Sequence, residues 1–158
     1  MDIETFVAKA KKKDFDIIRH TREVLEDIKK INKEHHFLLT VSEDLALEQA
    51  SKLKKKIKGR LAGVPITIKD CICVTNVESR AGSAVLKGYK PVITATAVQK
   101  LIDEGAIIVG KTTQDEFGFG SFNINTGNGV PIPLNPVDKK RACGGSSGGS
   151  GGITKKLE

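Results

Sequence analysis

The chain has 158 residues, 39% of them hydrophobic and 28% charged, the proportions of a soluble globular domain with one modest core. No apolar run approaches the ~18 to 20 residues that span a bilayer, and Met1-Asp2 opens directly into charged sequence, so neither membrane insertion nor secretion is expected. The formal charge of +7 is compatible with an RNA or acidic protein partner, but one Tyr, no Trp and no alternation of basic with aromatic residues leave no base-stacking platform.

Taken in chain order, Ile3, Phe6, Val7 and Ala10 fall at helical spacing, and Ile17, Ile18, Val24, Leu25, Ile28 and Ile31 repeat it beyond Asp14. Two amphipathic helices are expected there. The lysine runs Lys11–Lys13 and Lys54–Lys56 read as solvated helix faces. His20, His35 and His36 lie in or just after the second helix without further ligands at helical spacing, so no metal site is expected. Phe37–Val41 is a short apolar run. Ser42 then offers an N-cap to a third helix through Leu45, Ala46, Ala50, Leu53 and Ile57, ended by Gly59. Residues 1–60 thus read as a mostly helical N-terminal segment.

At Gly63 the period changes: Val64, Ile66 and Ile68 alternate with Pro65, Thr67 and Lys69, the two-residue repeat of a strand that a lysine closes. Thr96 can cap a helix through Val98, Leu101 and Ile102 that stops at Gly105, and Ala106–Val109 is a β-branched run ending at Gly110. Residues 61–158 therefore read as the first part of an α/β domain. From Thr112 to Arg141 the chain is rich in Gly, Asn and Pro and reads as a long functional loop. Cys71, Cys73 and Cys143 are an odd number without a secretory signal, so reduced thiols in a cytoplasm are expected.

Two motifs bear on chemistry. Gly105-Ala106-Ile107-Ile108-Val109-Gly110-Lys111-Thr112 satisfies the phosphate-loop pattern G-x-x-x-x-G-K-[ST]. In such a loop, however, the strand precedes the first glycine, whereas here Ala106–Val109 is itself the strand and a helix comes before Gly105, which argues against nucleotide binding. The second motif is Gly144-Gly145-Ser146-Ser147-Gly148-Gly149-Ser150-Gly151-Gly152, which alone reads equally as a flexible linker or a functional loop, with Leu157-Glu158 as an expression scar. Lys69 shifts the balance. A strand-end lysine among apolar neighbours is desolvated, and desolvation favours the neutral amine that can act as a base.

Together these residues resemble the amidase signature family, whose triad is serine, cis-serine and lysine. The resemblance runs from Leu61 to Gly152 and includes the helix and strand from Thr96 to Gly110 and Asn135-Pro136 ahead of the Gly-Ser block. Within the family, Gly110-Lys111-Thr112-Thr113-Gln114-Asp115-Glu116-Phe117-Gly118-Phe119-Gly120 is most similar to the A-type subunits of aspartyl/glutamyl-tRNA amidotransferases. Ser121–Gly129 departs from the Ser/Thr/Glu-rich stretch usual there, and Cys143 stands where a proline is common.

The resemblance implies an amidase signature fold, a mixed β-sheet core covered by helices, of which this chain is an N-terminal portion. It implies Lys69 as the neutral base and Ser146 as the bridging serine with a cis bond to Gly145, and it puts Gly145, Ser147, Gly120 and Ser121 in the active-site or substrate loops. The family's nucleophilic serine and the turn whose amides form its oxyanion hole lie beyond Glu158, so these 158 residues alone are expected to be inactive and, with sheet edges uncovered, marginally stable. The implied activity is hydrolysis of glutamine to supply ammonia for converting Glu-tRNA(Gln) or Asp-tRNA(Asn). The implied partners are the B-type and C-type subunits and, through them, tRNA. ATP and Mg belong to the B-type subunit, with no cofactor or metal in this chain. Two other readings remain open: an amidase of another small carboxamide, and a non-catalytic protein that binds the amidotransferase subunits.

Overall fold

The structure is a computed structural model describing residues 2–12, 14–55 and 57–157. Its elements are α1 (Ile3–Ala10), α2 (Ile17–His35), β1 (Leu38–Val41), α3 (Glu43–Lys55), β2 (Pro65–Lys69), α4 (Thr96–Asp103), β3 (Ile107–Thr112) and α5 (Gly148–Leu157), with a short 3-10 turn at Glu116–Gly118. The three strands form one mixed sheet in the order β1-β3-β2, in which β1 runs antiparallel and β2 parallel to β3. Strand β1, from within the first 60 residues, therefore shares a sheet with strands from beyond residue 61. The fold is α/β.

All six residues of β3 are buried because both faces of the central strand are covered. Ile107 and Val109 face a core built with Leu25 and Ile28 of α2, Ala46 and Ala50 of α3, Phe37, Leu38 and Ile153 of α5. Ile108 points the other way, into a second core with Ile68, Val74, Val77 and Val98 of α4. A third cluster packs Phe6, Val7 and Ala10 of α1 on Ala62 and Val64. The period-2 alternation of a strand sorts adjacent isoleucines of β3 into separate cores.

Helix starts follow local chemistry. The Asp2 carboxylate accepts from Thr5 N at 2.8 Å and opens α1, and the Asp16 carboxylate accepts from Ile18 N at 3.1 Å and Arg19 N at 3.2 Å and opens α2. Two expected caps are absent. Ser42 instead donates its hydroxyl to Ile108 O across the sheet at 2.8 Å, and α4 begins at Thr96 itself, after Ala95, with no side-chain cap. Strand β3 also runs past Gly110 to Thr112, and α3 ends at Lys55, short of Ile57 and Gly59. Lys11, Lys12, Lys54 and Lys55 are exposed, whereas Lys13 and Lys56 of the two lysine runs, and Glu158, lie outside the described residues.

The histidines serve packing. His35 stacks on Phe37 with ring centroids 5.1 Å apart, His36 turns the chain out of α2 in the left-handed conformation, and His20 lies against Phe6 and Phe15. Among the described residues no three His, Cys, Asp or Glu side chains are grouped to hold a metal ion, and no helix is long and apolar enough to cross a membrane. Among the described residues strands β1 and β2 are the two edges of the sheet, and β2 is flanked by a groove lined by Val24, Ile28, Ile66 and Ile153.

Burial pushes the His20 imidazole below its ordinary value of 6.5. The unfolded chain then takes up this proton at a higher pH than the folded one, so the histidine's contribution to stability is complete above 6.5 and is lost as pH falls through the folded value. Urea unfolding at pH 7.5 and 5 should show a larger loss of stability on acidification in the native chain than in a His20→Phe variant. Equal losses would contradict the assignment.

Candidate active site

The Lys69 end of β2 lies beside Thr112, its register partner at the end of β3. The Gly-Ser block crosses these strand ends, and from Gly148 onward it is a helix, not a linker. The glycines make that possible. A Cβ on Gly149 would meet the backbone carbonyl of Phe37 and, at 2.6 Å, Thr113 N and O; one on Gly152 would enter the Phe37 ring. In their absence Gly149 N donates to Thr113 O at 3.1 Å, and α5 seats directly on the continuation of β3.

This seating delivers Ser146. Its peptide bond to Gly145 is cis, and Lys69 Nζ donates to Ser146 Oγ at 2.7 Å. Both side chains are half-buried, and an amine bonded to a hydroxyl in this way is arranged to exchange a proton with it. A second hydroxyl pair, Thr112 Oγ1 and Ser150 Oγ at 2.7 Å, ties the end of β3 to the first turn of α5.

Of the other residues expected at the site, Gly145 is brought in directly: its N–H donates to Ser121 O at 2.8 Å. Ser121 thus contributes its carbonyl. Gly120 lies against the Asp115 carboxylate, where a Cβ would overlap it. Ser147 starts α5 through its carbonyl, which accepts from Ser150 N at 3.1 Å and Gly151 N at 3.2 Å, while its side chain is exposed.

Sequence pattern alone does not reveal the groups that brace these loops. The Asp115 carboxylate is fully buried and accepts from Asn123 N at 2.9 Å and Asn125 N at 3.0 Å, while Asp115 N donates to Ser146 O at 3.2 Å. One acid therefore fixes both the loop at 120–125 and the Ser146 backbone. Gln114, also buried, accepts from Cys71 N at 2.9 Å. Lys111 of the phosphate-loop pattern is buried, donating to Asp70 O at 3.0 Å and Ser79 Oγ at 2.5 Å. Its segment is strand, not loop, and offers phosphate no ring of free amides. Burial pushes the Asp70 carboxyl up and the Lys111 amine down from their ordinary values, each opposed by the other's charge 3.7 Å away. Cys71, Cys73 and Cys143 are free thiols, and burial raises that of Cys143.

The family model described as Amidase matches residues 19–154, which include the paired Lys69 and Ser146. The chain belongs to the amidase family. The A-type subunit of glutamyl-tRNA(Gln) amidotransferase from Chlorobium phaeobacteroides is 43% identical over 134 residues, 80% of this chain and 28% of that protein. Its counterpart from Trichodesmium erythraeum is 38% identical over 143 residues, 87% of this chain and 29% of that protein. The chain thus spans under a third of the length of these amidase relatives. Among solved structures, the A-type subunit of glutamyl-tRNA(Gln) amidotransferase from Thermotoga maritima is similar with a TM-score of 0.76 at 29% identity, over 93% of this chain and 30% of that one. Native peptide amidase from Stenotrophomonas maltophilia gives a TM-score of 0.82 at 26% identity, over 95% of this chain and 33% of that one.

The role of the glycines in seating α5 is testable. Gly149→Ala should destabilise the protein by roughly 1 to 3 kcal/mol, because backbone atoms on both sides cannot move aside. Gly151→Ala, on the open side of the same helix, should stabilise it by up to about 1 kcal/mol through helix propensity. Denaturant midpoints would show whether the two substitutions act in opposite directions.

Proposed function

We propose that this chain is the N-terminal part of a glutaminase subunit of a tRNA-dependent amidotransferase, supplying the lysine and bridging serine of its active site. The observation that carries the reading is the 2.7 Å bond from Lys69 to Ser146. The 38% and 43% identity to A-type amidotransferase subunits supports the choice within the family.

In this mechanism Lys69 is the base. It takes the Ser146 hydroxyl proton while Ser146 takes the proton of a nucleophilic serine supplied from outside these 158 residues. The serine oxygen attacks the side-chain carboxamide carbon of glutamine, and the C–N bond breaks as the proton returns through Ser146 to the leaving nitrogen. Ammonia departs and leaves a glutamyl ester, which water hydrolyses to glutamate with the same pair relaying the proton. In this reading Gly145, Ser147, Gly120 and Ser121 belong to the active-site or substrate loops.

The ammonia serves conversion of Glu-tRNA(Gln), or of Asp-tRNA(Asn), by B-type and C-type partner subunits in the cytoplasm. ATP and Mg are used by the B-type partner, and tRNA reaches this chain only through the assembly. A second reading, hydrolysis of another small carboxamide, is favoured by the TM-score of 0.82 to a peptide amidase and by the divergent Ser121–Gly129 segment.

The test is ammonia release by the assembly containing this chain, with glutamine and a peptide C-terminal amide as competing substrates. Glutamine should be preferred, and Lys69→Ala should lower its kcat by about 100- to 10,000-fold. Preference for the peptide amide would move the assignment to the second reading, and unchanged turnover in the variant would remove Lys69 from the mechanism.

A further inference from the structure

The lysine of the phosphate-loop pattern lies in strand β3 and has no part in the proton relay, yet Lys111 is among the largest fully buried side chains of the described residues. A charged side chain in a core carries a desolvation cost that only pairing and hydrogen bonds offset. Its contacts converge on the strand end that presents Lys69. Lys111 Nζ donates to the Asp70 carbonyl at 3.0 Å and to Ser79 Oγ at 2.5 Å, and lies 3.7 Å from Asp70 Oδ1. The other carboxylate oxygen of Asp70 accepts from Gly82 N at 2.9 Å and Arg80 N at 3.1 Å. Asp70 N donates to Thr112 O at 3.2 Å, and Ile72 N closes the turn onto Lys69 O at 2.9 Å.

From these contacts we propose that Lys111, with Asp70 and Ser79, is a positioning network that holds the end of β2 so that Lys69 Nζ stays within hydrogen-bond reach of Ser146 Oγ. The proposal deepens the amidase reading above and rests on it for its kinetic consequence. The geometry gives Lys111 leverage. It sits on β3 opposite Ile68, one residue before Lys69, so its side chain grips the chain one residue beyond Lys69 from the neighbouring strand. Asp70 is thereby held at its N–H by β3, at its carbonyl by Lys111 and at its carboxylate by the loop at 80–82. Lys69 is left with its side chain as the main freedom. A misplacement of about 1 Å at a reacting group costs on the order of 100-fold in rate, which is the scale of the effect such a brace prevents.

Removing Lys111 alone leaves the Asp70 carboxylate buried without its counter-charge, so Lys111→Met loses stability whatever else it does. The Asp70→Asn/Lys111→Met pair removes both charges and separates the two roles. In the assembly with its partners, the double variant should regain most of the unfolding midpoint while kcat for ammonia release from glutamine stays about 100-fold down and KM changes less than threefold. Ser79→Ala, which removes one acceptor and no charge, should lower kcat about 3- to 10-fold at an unchanged KM.

A readout independent of activity keeps the positioning claim distinct from the glutaminase reading. Acetylation of Lys69 by acetic anhydride at fixed pH, read by mass spectrometry against exposed Lys52, should be several-fold faster in the double variant, because Lys69 is no longer held on Ser146. If the native assembly releases no ammonia from glutamine but Lys69 acetylation rises, the glutaminase reading fails and the brace stands. If the double variant recovers stability and kcat together, or Lys69 acetylates at the native rate, Lys111 is only a structural residue and the proposal is overturned.

Discussion

The site depends on a close approach of backbone to backbone. The segment from Gly145 to Gly152 lies on the residues that continue β3, so near that Gly149 donates to Thr113 O and a single Cβ would collide with Thr113 and Phe37. Ser146 reaches Lys69 only because that layer is missing its side chains. Were α5 lifted by the thickness of a methyl group, the 2.7 Å bond between the two residues would open beyond hydrogen-bond range. The run of glycines is thus a packing requirement, and the flexibility such composition suggests in solution is spent on making the contact.

The same layer is stiffened from below by buried polar groups. Asp115 accepts two backbone N–H bonds from the loop at 123–125 and donates its own N–H to Ser146, while Asp70 and Lys111 tie the ends of β2 and β3 to the loop at 79–82. Each of these side chains is fully buried, where an unpaired charge would cost several kcal/mol, so each constrains the backbone around it strongly. The site is therefore a pair of half-buried side chains carried on a fully buried polar frame.

Much of this was legible in the sequence. The change from helical to two-residue period at Gly63 located β2 and its terminal Lys69, and the order of helix and β-branched run around Gly105 placed a strand inside the full match to the phosphate-loop letters, as the structure has it. Composition could not distinguish linker from helix at Gly148, because low helix propensity was overridden by tertiary contact with Phe37 and Thr113. Ser42 and Thr96 satisfied the local rule for helix caps, but the Ser42 hydroxyl found a partner across the sheet in Ile108, which no local pattern announces. The roles of Asp115 and Lys111 were hidden for the same reason: their partners lie across the fold, up to 41 residues away for the Lys111 bond to Asp70 O.

The central claim is that Lys69 and Ser146 act as one unit, and a double-mutant cycle on ammonia release tests it most directly. Lys69→Met, Ser146→Ala and the double variant would be compared by kcat/KM in the assembly that contains this chain. Residues that relay one proton lose almost everything when either is removed, so the double variant should be no slower than the worse single one to within about threefold. If the two losses multiply, the residues contribute independently, and the 2.7 Å bond between them is a contact without a shared role in the reaction.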